Sequence, residues 1–361
     1  MPAKLALIAE GWNKPPRYTH FEPRVSISRM DVSSEYSFTP RRGLRLGHLQ
    51  TIAGNFLPRT NFLPPGERRQ FVVAQHGSGV PVAVECVCHW QPDRRPAMAL
   101  VIVHGLEGSV ESQYVIGTGS KAWLAGMSVV RMNMRNCGDT EKLTPTLYHS
   151  GLSADVGAIV QELIQQDGLD QIGIVGFSMG GNLVLKLAGE WGAQAPPQVK
   201  AAATVSPAMD LAASADALHS WRNWMYEQRF LRGLRKRYQR KAMLFPDVYD
   251  LAHLRRFASI REFDHEITAR YEGFSGADDY YARASSSKIL DNIRIPTLVI
   301  HADDDPFIRV LPETRTKLEA NPHIRFVETR HGGHCAFLAD PNGYDGRWAE
   351  KTLIEFIRSL G

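Results

Sequence analysis

The sequence predicts an α/β fold: a mostly parallel central sheet with helices on both faces and a helical cap inserted late in the sheet. Two patterns carry that expectation. Near-continuous apolar runs alternate with amphipathic helical stretches from Met98 to Val205, the mark of parallel strands buried on both faces. The alternation stops at Pro207 and resumes only after Pro296, leaving residues 207–290 without strand-like runs.

Taken in order, residues 1–69 are rich in Pro and Arg with little periodicity, and read as an arm packed on the core. Phe71–Gln75 and Val80–Trp90 flank Gly77-Ser78-Gly79, where alternation and turn residues together predict a β-hairpin. Met98–Val103, Ser128–Met132, Ile172–Val175 and Ala201–Val205 read as strands. Tyr114–Ala125, Asp155–Gln165 and Met179–Trp191 are the helices between them. After the insertion come strand Thr297–Ile300, a helix near Glu313–Ala320, strand Ile324–Thr329 and a last helix Trp348–Ser359. The core thus has two parts, 70–206 and 291–361, and 207–290 is expected as a cap or lid. An insertion between late strands sits over the carboxyl ends of the sheet, where such folds bind ligands.

The whole-chain numbers exclude several classes. An apolar fraction of 43% and a charged fraction of 22% are those of a soluble globular chain. A formal charge of +4 is too small to signal nucleic-acid binding. Cys86, Cys88, Cys137 and Cys335 form no Cys-x-x-Cys pair, so neither a zinc site nor a disulfide framework is expected, and a reducing compartment fits. Leu5–Ala9, cut off by Glu10, is too short for a signal-peptide core, and no apolar window would span a bilayer. The cytoplasm is the expected address.

The chemistry-bearing segment is Gly176-Phe177-Ser178-Met179-Gly180, which follows a strand and opens a helix. That context turns a common pentapeptide into a nucleophile elbow, with Ser178 exposed on a sharp turn and glycines where strand and helix crowd. A serine hydroxyl needs a base. Arg330-His331-Gly332-Gly333-His334 supplies two histidines, and His334, which follows a glycine and precedes Cys335-Ala336-Phe337-Leu338, is preferred over His331. The acid that orients the base is expected beyond strand Thr297–Ile300, in Asp303-Asp304-Asp305-Pro306, with Asp305 preferred and Asp304 the alternative. Consecutive carboxylates cannot all aim at one ion, so no metal or other cofactor is expected. The order Ser…Asp…His is that of α/β-hydrolases. The oxyanion donors are expected to be the amides of Met179 and of Leu106, in His104-Gly105-Leu106-Glu107-Gly108-Ser109. His104 is read as shaping that loop.

From His48-Leu49-Gln50-Thr51 onward the chain resembles the YheT-like branch of α/β-hydrolases, which holds predicted bacterial esterases, animal acylglycerol and phospholipid hydrolases and fungal alcohol acyltransferases. The resemblance is carried by Val103 to Ser109, Arg135-Asn136-Cys137-Gly138, Tyr148-His149-Ser150-Gly151, Gly176 to Asn182, Phe274, Tyr280-Tyr281, Asp304 to Phe307 and His331 to His334. It implies Ser178, Asp305 and His334 as the charge-relay triad. One departure is Asn136, where the branch usually has glycine; asparagine tolerates left-handed backbone, so a local change is expected.

The implied reaction is hydrolysis of short- to medium-chain acyl esters, a small-molecule substrate, through an acyl-enzyme. The alternatives are an acyltransferase that delivers the acyl group to an alcohol, an acylglycerol lipase, or a silent hydrolase fold used as a receptor. Gln228–Ala242 carries seven basic residues among Phe230, Leu234 and Tyr238 at helical spacing. The plain reading is a solvated charged face; the sharper one is peripheral contact of the cap with anionic membrane. Oligomeric state stays open.

Overall fold

The computed structural model describes residues 36–361 apart from Ser78; most of the expected arm, and the apolar run at Leu5–Ala9, lie outside the described residues. Eight strands form one sheet: β1 (Glu67–His76), β2 (Val80–His89), β3 (Ala99–Val103), β4 (Ser128–Met132), β5 (Ile172–Phe177), β6 (Val199–Val205), β7 (Thr297–Ala302) and β8 (Ile324–Thr329). Their order is β1-β2-β4-β3-β5-β6-β7-β8. β1 and β2 form the antiparallel hairpin, β2 also runs antiparallel to β4, and every other pairing is parallel. All residues of β3, β4, β5 and β7 are buried, which is why these strands read as near-continuous apolar runs, interrupted only by Ser128 and Arg131 in β4 and Thr297 and His301 in β7.

The helices are α1 (Gly47–Phe56), α2 (Gln113–Leu124), α3 (Ser153–Gln165), α4 (Met179–Trp191), α5 (Leu211–Leu218), α6 (Trp224–Leu244), α7 (Ile260–Phe263), α8 (Ala277–Ala284), α9 (Pro312–Ala320) and α10 (Trp348–Arg358). α2 and α10 pack on one face through Val115, Ala122, Leu353 and Ile357. α3 and α4 cover the other through Ile159, Leu163, Leu183 and Leu187. Between β6 and β7 the chain is helical: α5 to α8 and short turns, with α7 running into a π-helical turn at Asp264–Ala269.

Two local expectations needed correction. β1 starts at Glu67, inside the range given to the arm. Residues 47–56, read as aperiodic, form α1. Its buried face is Gly47, Gln50, Thr51 and Gly54, while Leu49, Ile52 and Phe56 are exposed. The helix reverses the usual apolar-inside pattern, so hydrophobic periodicity could not find it.

Candidate active site

Ser178 stands where β5 gives way to α4, at φ 52° and ψ −118°, a left-handed conformation that costs a residue with a Cβ. The turn is tight enough that a Cβ at Gly176 would fall on the Gly180 carbonyl, and one at Gly180 on the ends of Val103 and His104. The strained turn presents Ser178 half-buried at the carboxyl end of the sheet. Its hydroxyl has no hydrogen-bond partner among the described residues.

β7 leads into Asp303-Asp304-Asp305, and the two candidate carboxylates divide between the two candidate histidines. Asp305 Oδ2 lies 2.8 Å from His334 Nδ1. Its other oxygen accepts the N–H groups of Phe307 (3.1 Å) and Ile308 (2.9 Å). Asp304 instead accepts from Gly333 N–H at 2.8 Å and pairs with His331 Nδ1 at 3.3 Å. Burial works against the Asp305 carboxylate, but the charge and hydrogen bond of His334 outweigh it, so its carboxyl sits below the ordinary range. Burial likewise opposes the imidazolium of His334, yet Cys335 and Asp305 beside it push that group up to about 10. The His334 Nε2 faces Cys335 Sγ at 3.8 Å.

The serine and histidine segments meet at one carbonyl. Val205 O, at the end of β6, accepts from Ser178 N–H at 3.0 Å and from Cys335 Sγ at 3.5 Å. The next residue, Ser206, accepts the Cys335 N–H through its Oγ at 3.1 Å.

The expected oxyanion loop follows β3. His104 is buried and neutral, burial holding it down to about 4; its Nδ1 bonds the Gly105 carbonyl and its Nε2 accepts from Met134 N–H at 3.1 Å. It shapes the loop, as the sequence suggested. A Cβ at Gly105 would stand 3.0 Å from Ser178 Cβ, so this backbone runs beside the serine. Among the described residues no acceptor takes the Leu106 N–H, and Met179 begins α4, where first-turn N–H groups have no partner within the helix. Both are free donors.

A family profile described as the alpha/beta hydrolase fold matches residues 99–341. The chain is 32% identical to the Escherichia coli esterase candidate YheT, over 91% of this chain and 94% of that one. The chain belongs to the α/β-hydrolase family. Within its YheT-like branch, this α/β-hydrolase is 28% identical to a monoacylglycerol lipase of Saccharomyces cerevisiae, over 72% of this chain and 58% of that one. It is 27% identical to human phospholipase ABHD3, over 76% and 66%. Several relatives are thus longer than this chain. The fold is shared with the Pyrococcus furiosus esterase Pf2001, at TM-score 0.52 and 13% identity, over 84% of this chain and 99% of that one.

A cavity of about 960 Å³, counting its open mouth, adjoins Ser178. The helices between β6 and β7 wall it with Leu211, Leu218, Phe230, Leu234 and Phe263, and the core contributes Leu106, Met179 and Phe307. No cluster of His, Cys, Asp or Glu among the described residues could hold a metal ion. No described helix is long and apolar enough to cross a membrane.

Sequence reasoning did not foresee three supports of this α/β-hydrolase site. Thr51 of α1 accepts the His334 N–H at 2.8 Å. Its neighbour Gln50 bonds both backbone groups of Leu338, at 2.7 and 3.1 Å. Cys335, at φ 58°, sets its sulfur beside the imidazole. The His48-Leu49-Gln50-Thr51 stretch opens the segment that resembles the YheT-like branch, and its polar pair Gln50-Thr51 is the signal that the sequence offers. Asn182, from the elbow segment, ties Ser150 O, Ala284 O and Ser286 N–H together at 2.8 to 2.9 Å.

Proposed function

We propose that this α/β-hydrolase is a serine carboxylic-ester hydrolase in which Ser178 attacks the acyl carbon, His334 takes the serine proton and Asp305 orients His334. Esterase and lipase names among its relatives support ester hydrolysis as the reaction class. The observation that carries the assignment is the 2.8 Å Asp305–His334 bond beside a strained, unpartnered serine, with both segments bonded to Val205 O. Nε2 leaves the Cys335 sulfur to accept from Ser178; such bonds commonly tighten only when substrate binds. The Leu106 and Met179 amides stabilise the oxyanion, each worth about 100- to 1,000-fold in rate. Collapse of the tetrahedral species expels the alcohol, which receives its proton from His334, and water then releases the acid by the same steps reversed.

The helical segment 207–290 acts as the cap, and its apolar wall receives an acyl chain of short to medium length. Ser178→Ala, assayed on p-nitrophenyl esters from C2 to C16 with circular dichroism as fold control, tests the reading. Turnover falls by several orders of magnitude, and the best chain length measures the pocket; parent-like turnover would refute the serine. Acyl transfer is a second reading, since one yeast relative, 29% identical, is named a medium-chain fatty acid ethyl ester synthase/esterase. The acid-to-ester product ratio in water with added ethanol decides between them.

A further inference from the structure

The oxyanion loop is held from outside the core by a cation that belongs to the cap. Glu107, next to Leu106, has φ 56°. Its Oε1 accepts from Tyr148 OH at 2.6 Å and from Arg237 Nε at 3.2 Å, and its N–H faces Tyr148 OH at 3.4 Å. Arg237 lies in the middle of α6, is 8% exposed, and stacks its guanidinium over the Tyr148 ring at 5.2 Å. Its Nη1 donates to the Asn136 carbonyl, in the loop after β4. One turn back, α6 carries Gly233, where a Cβ would fall on the Glu107 carboxylate, 2.7 Å from its Cδ. A glycine in a helix interior costs about 1 kcal/mol against alanine. Here its missing side chain is the space that the carboxylate occupies.

A buried ion pair is weak evidence for stability, because desolvation offsets much of the attraction. What this one does is geometric. A planar guanidinium with two fixed acceptors specifies where the Glu107 carboxylate stands, and Glu107 is one residue from the Leu106 amide. We propose that Arg237 is a positioning residue for the oxyanion hole, acting through Glu107, so that docking of the cap helix and alignment of the Leu106 N–H occur together. This rests on the serine-esterase reading and deepens it: a displaced cap leaves the triad intact and the oxyanion poorly held.

The test compares Arg237→Met, Glu107→Gln, the double variant and Gly233→Ala with the parent, measuring kcat, KM, thermal midpoint and inhibition by a trifluoromethyl ketone. Displacing one donor costs less than deleting it, so Arg237→Met lowers kcat by about 30-fold with KM within about twofold. Affinity for the ketone, whose oxyanion occupies the same hole, weakens in proportion. The double variant is no slower than the slower single, because both act on one contact. Gly233→Ala guards against mere unfolding: alanine favours the helix while its methyl displaces Glu107, so kcat falls with no drop in thermal midpoint. Parent-like kcat in both Arg237→Met and Gly233→Ala, or additive losses in the double variant, overturns the proposal. Ser178→Ala is run beside them; if it keeps turnover, the underlying serine reading fails instead.

Discussion

Replacing Asp305 by Asn tests the acid assignment with the surrounding structure nearly unchanged. Asp305 Oδ1 accepts two backbone N–H groups, from Phe307 and Ile308, which fix the side chain. In Asp305→Asn those donors hold the amide oxygen, and the amide NH2 is turned toward His334 Nδ1. Nδ1 must then accept, the ring proton moves to Nε2, and Nε2 can no longer take the proton of Ser178. In a serine protease the equivalent change lowers kcat by about 10⁴-fold, which is about 5.5 kcal/mol of barrier. Asp304→Asn keeps an acceptor for Gly333 N–H and alters only the partly exposed contact with His331, worth about 1 kcal/mol or fivefold. Steady-state hydrolysis of p-nitrophenyl butyrate, with circular dichroism for both variants, gives the comparison. A loss under tenfold in Asp305→Asn, or equal losses in the two, would refute the argument.

His334 must be neutral to act as a base, and its pKa is raised, so kcat/KM climbs with pH along a limb centred above the ordinary 6.5. Cys335→Ala removes one of the groups that raise it and shifts that limb to lower pH; an unmoved limb contradicts the cause. The same shift contributes stability that is complete below about 6.5 and is lost as pH rises toward about 10. Gln50→Leu strands the buried Leu338 N–H and lowers unfolding free energy by about 2 kcal/mol, read from urea titration; an unchanged midpoint would show that the bond adds nothing. On α6, Arg229, Arg232 and Lys236 are exposed and have no ion pair among the described residues, whereas Arg237 and Lys241 are buried. At about 1 kcal/mol per cation near an anionic surface, those three favour anionic over neutral vesicles by roughly 100-fold in co-sedimentation. Equal recruitment by both vesicle types removes the membrane reading.

The inner sheet was legible because strands buried on both faces leave long apolar runs; Ser128–Met132, and the only partly buried edge strand Ile324–Thr329, have the expected bounds. Ser178 was legible because a glycine-flanked serine stood where strand period changes to helix period. Asp304 and Asp305 could only be ranked, since adjacent carboxylates share every local signal; their partners separate them. α6 was visible as an amphipathic helix, but not that two of its cations face inward. A charged residue on a helix is normally solvated. Arg237 stands beside Tyr238 on the packed face, and only tertiary contacts with Glu107 and Asn136 distinguish it from Arg232. α1 was illegible for the opposite reason, its buried face being polar.

Backbone strain shows what the rim of the sheet is built for. Seven described residues other than glycine have positive φ: Glu107, Asn136, Asp139, Ser178, Ser206, Cys335 and Phe337. Every one follows the carboxyl end of a strand with a parallel partner, after β3, β4, β5, β6 or β8. Asn136 and Asp139 tolerate such backbone; at roughly 1–2 kcal/mol for each of the other five, they oppose folding by on the order of 5–10 kcal/mol, comparable with the whole net stability of an ordinary domain. A rim serving stability alone would carry glycine at such places. Here side chains are needed: Ser206 Oγ holds the Cys335 N–H, Glu107 receives Arg237, and Ser178 offers its hydroxyl. The fully buried strands beneath offset that strain, and the result is that the Ser178 and Cys335 segments, distant in sequence, are both held at the end of β6.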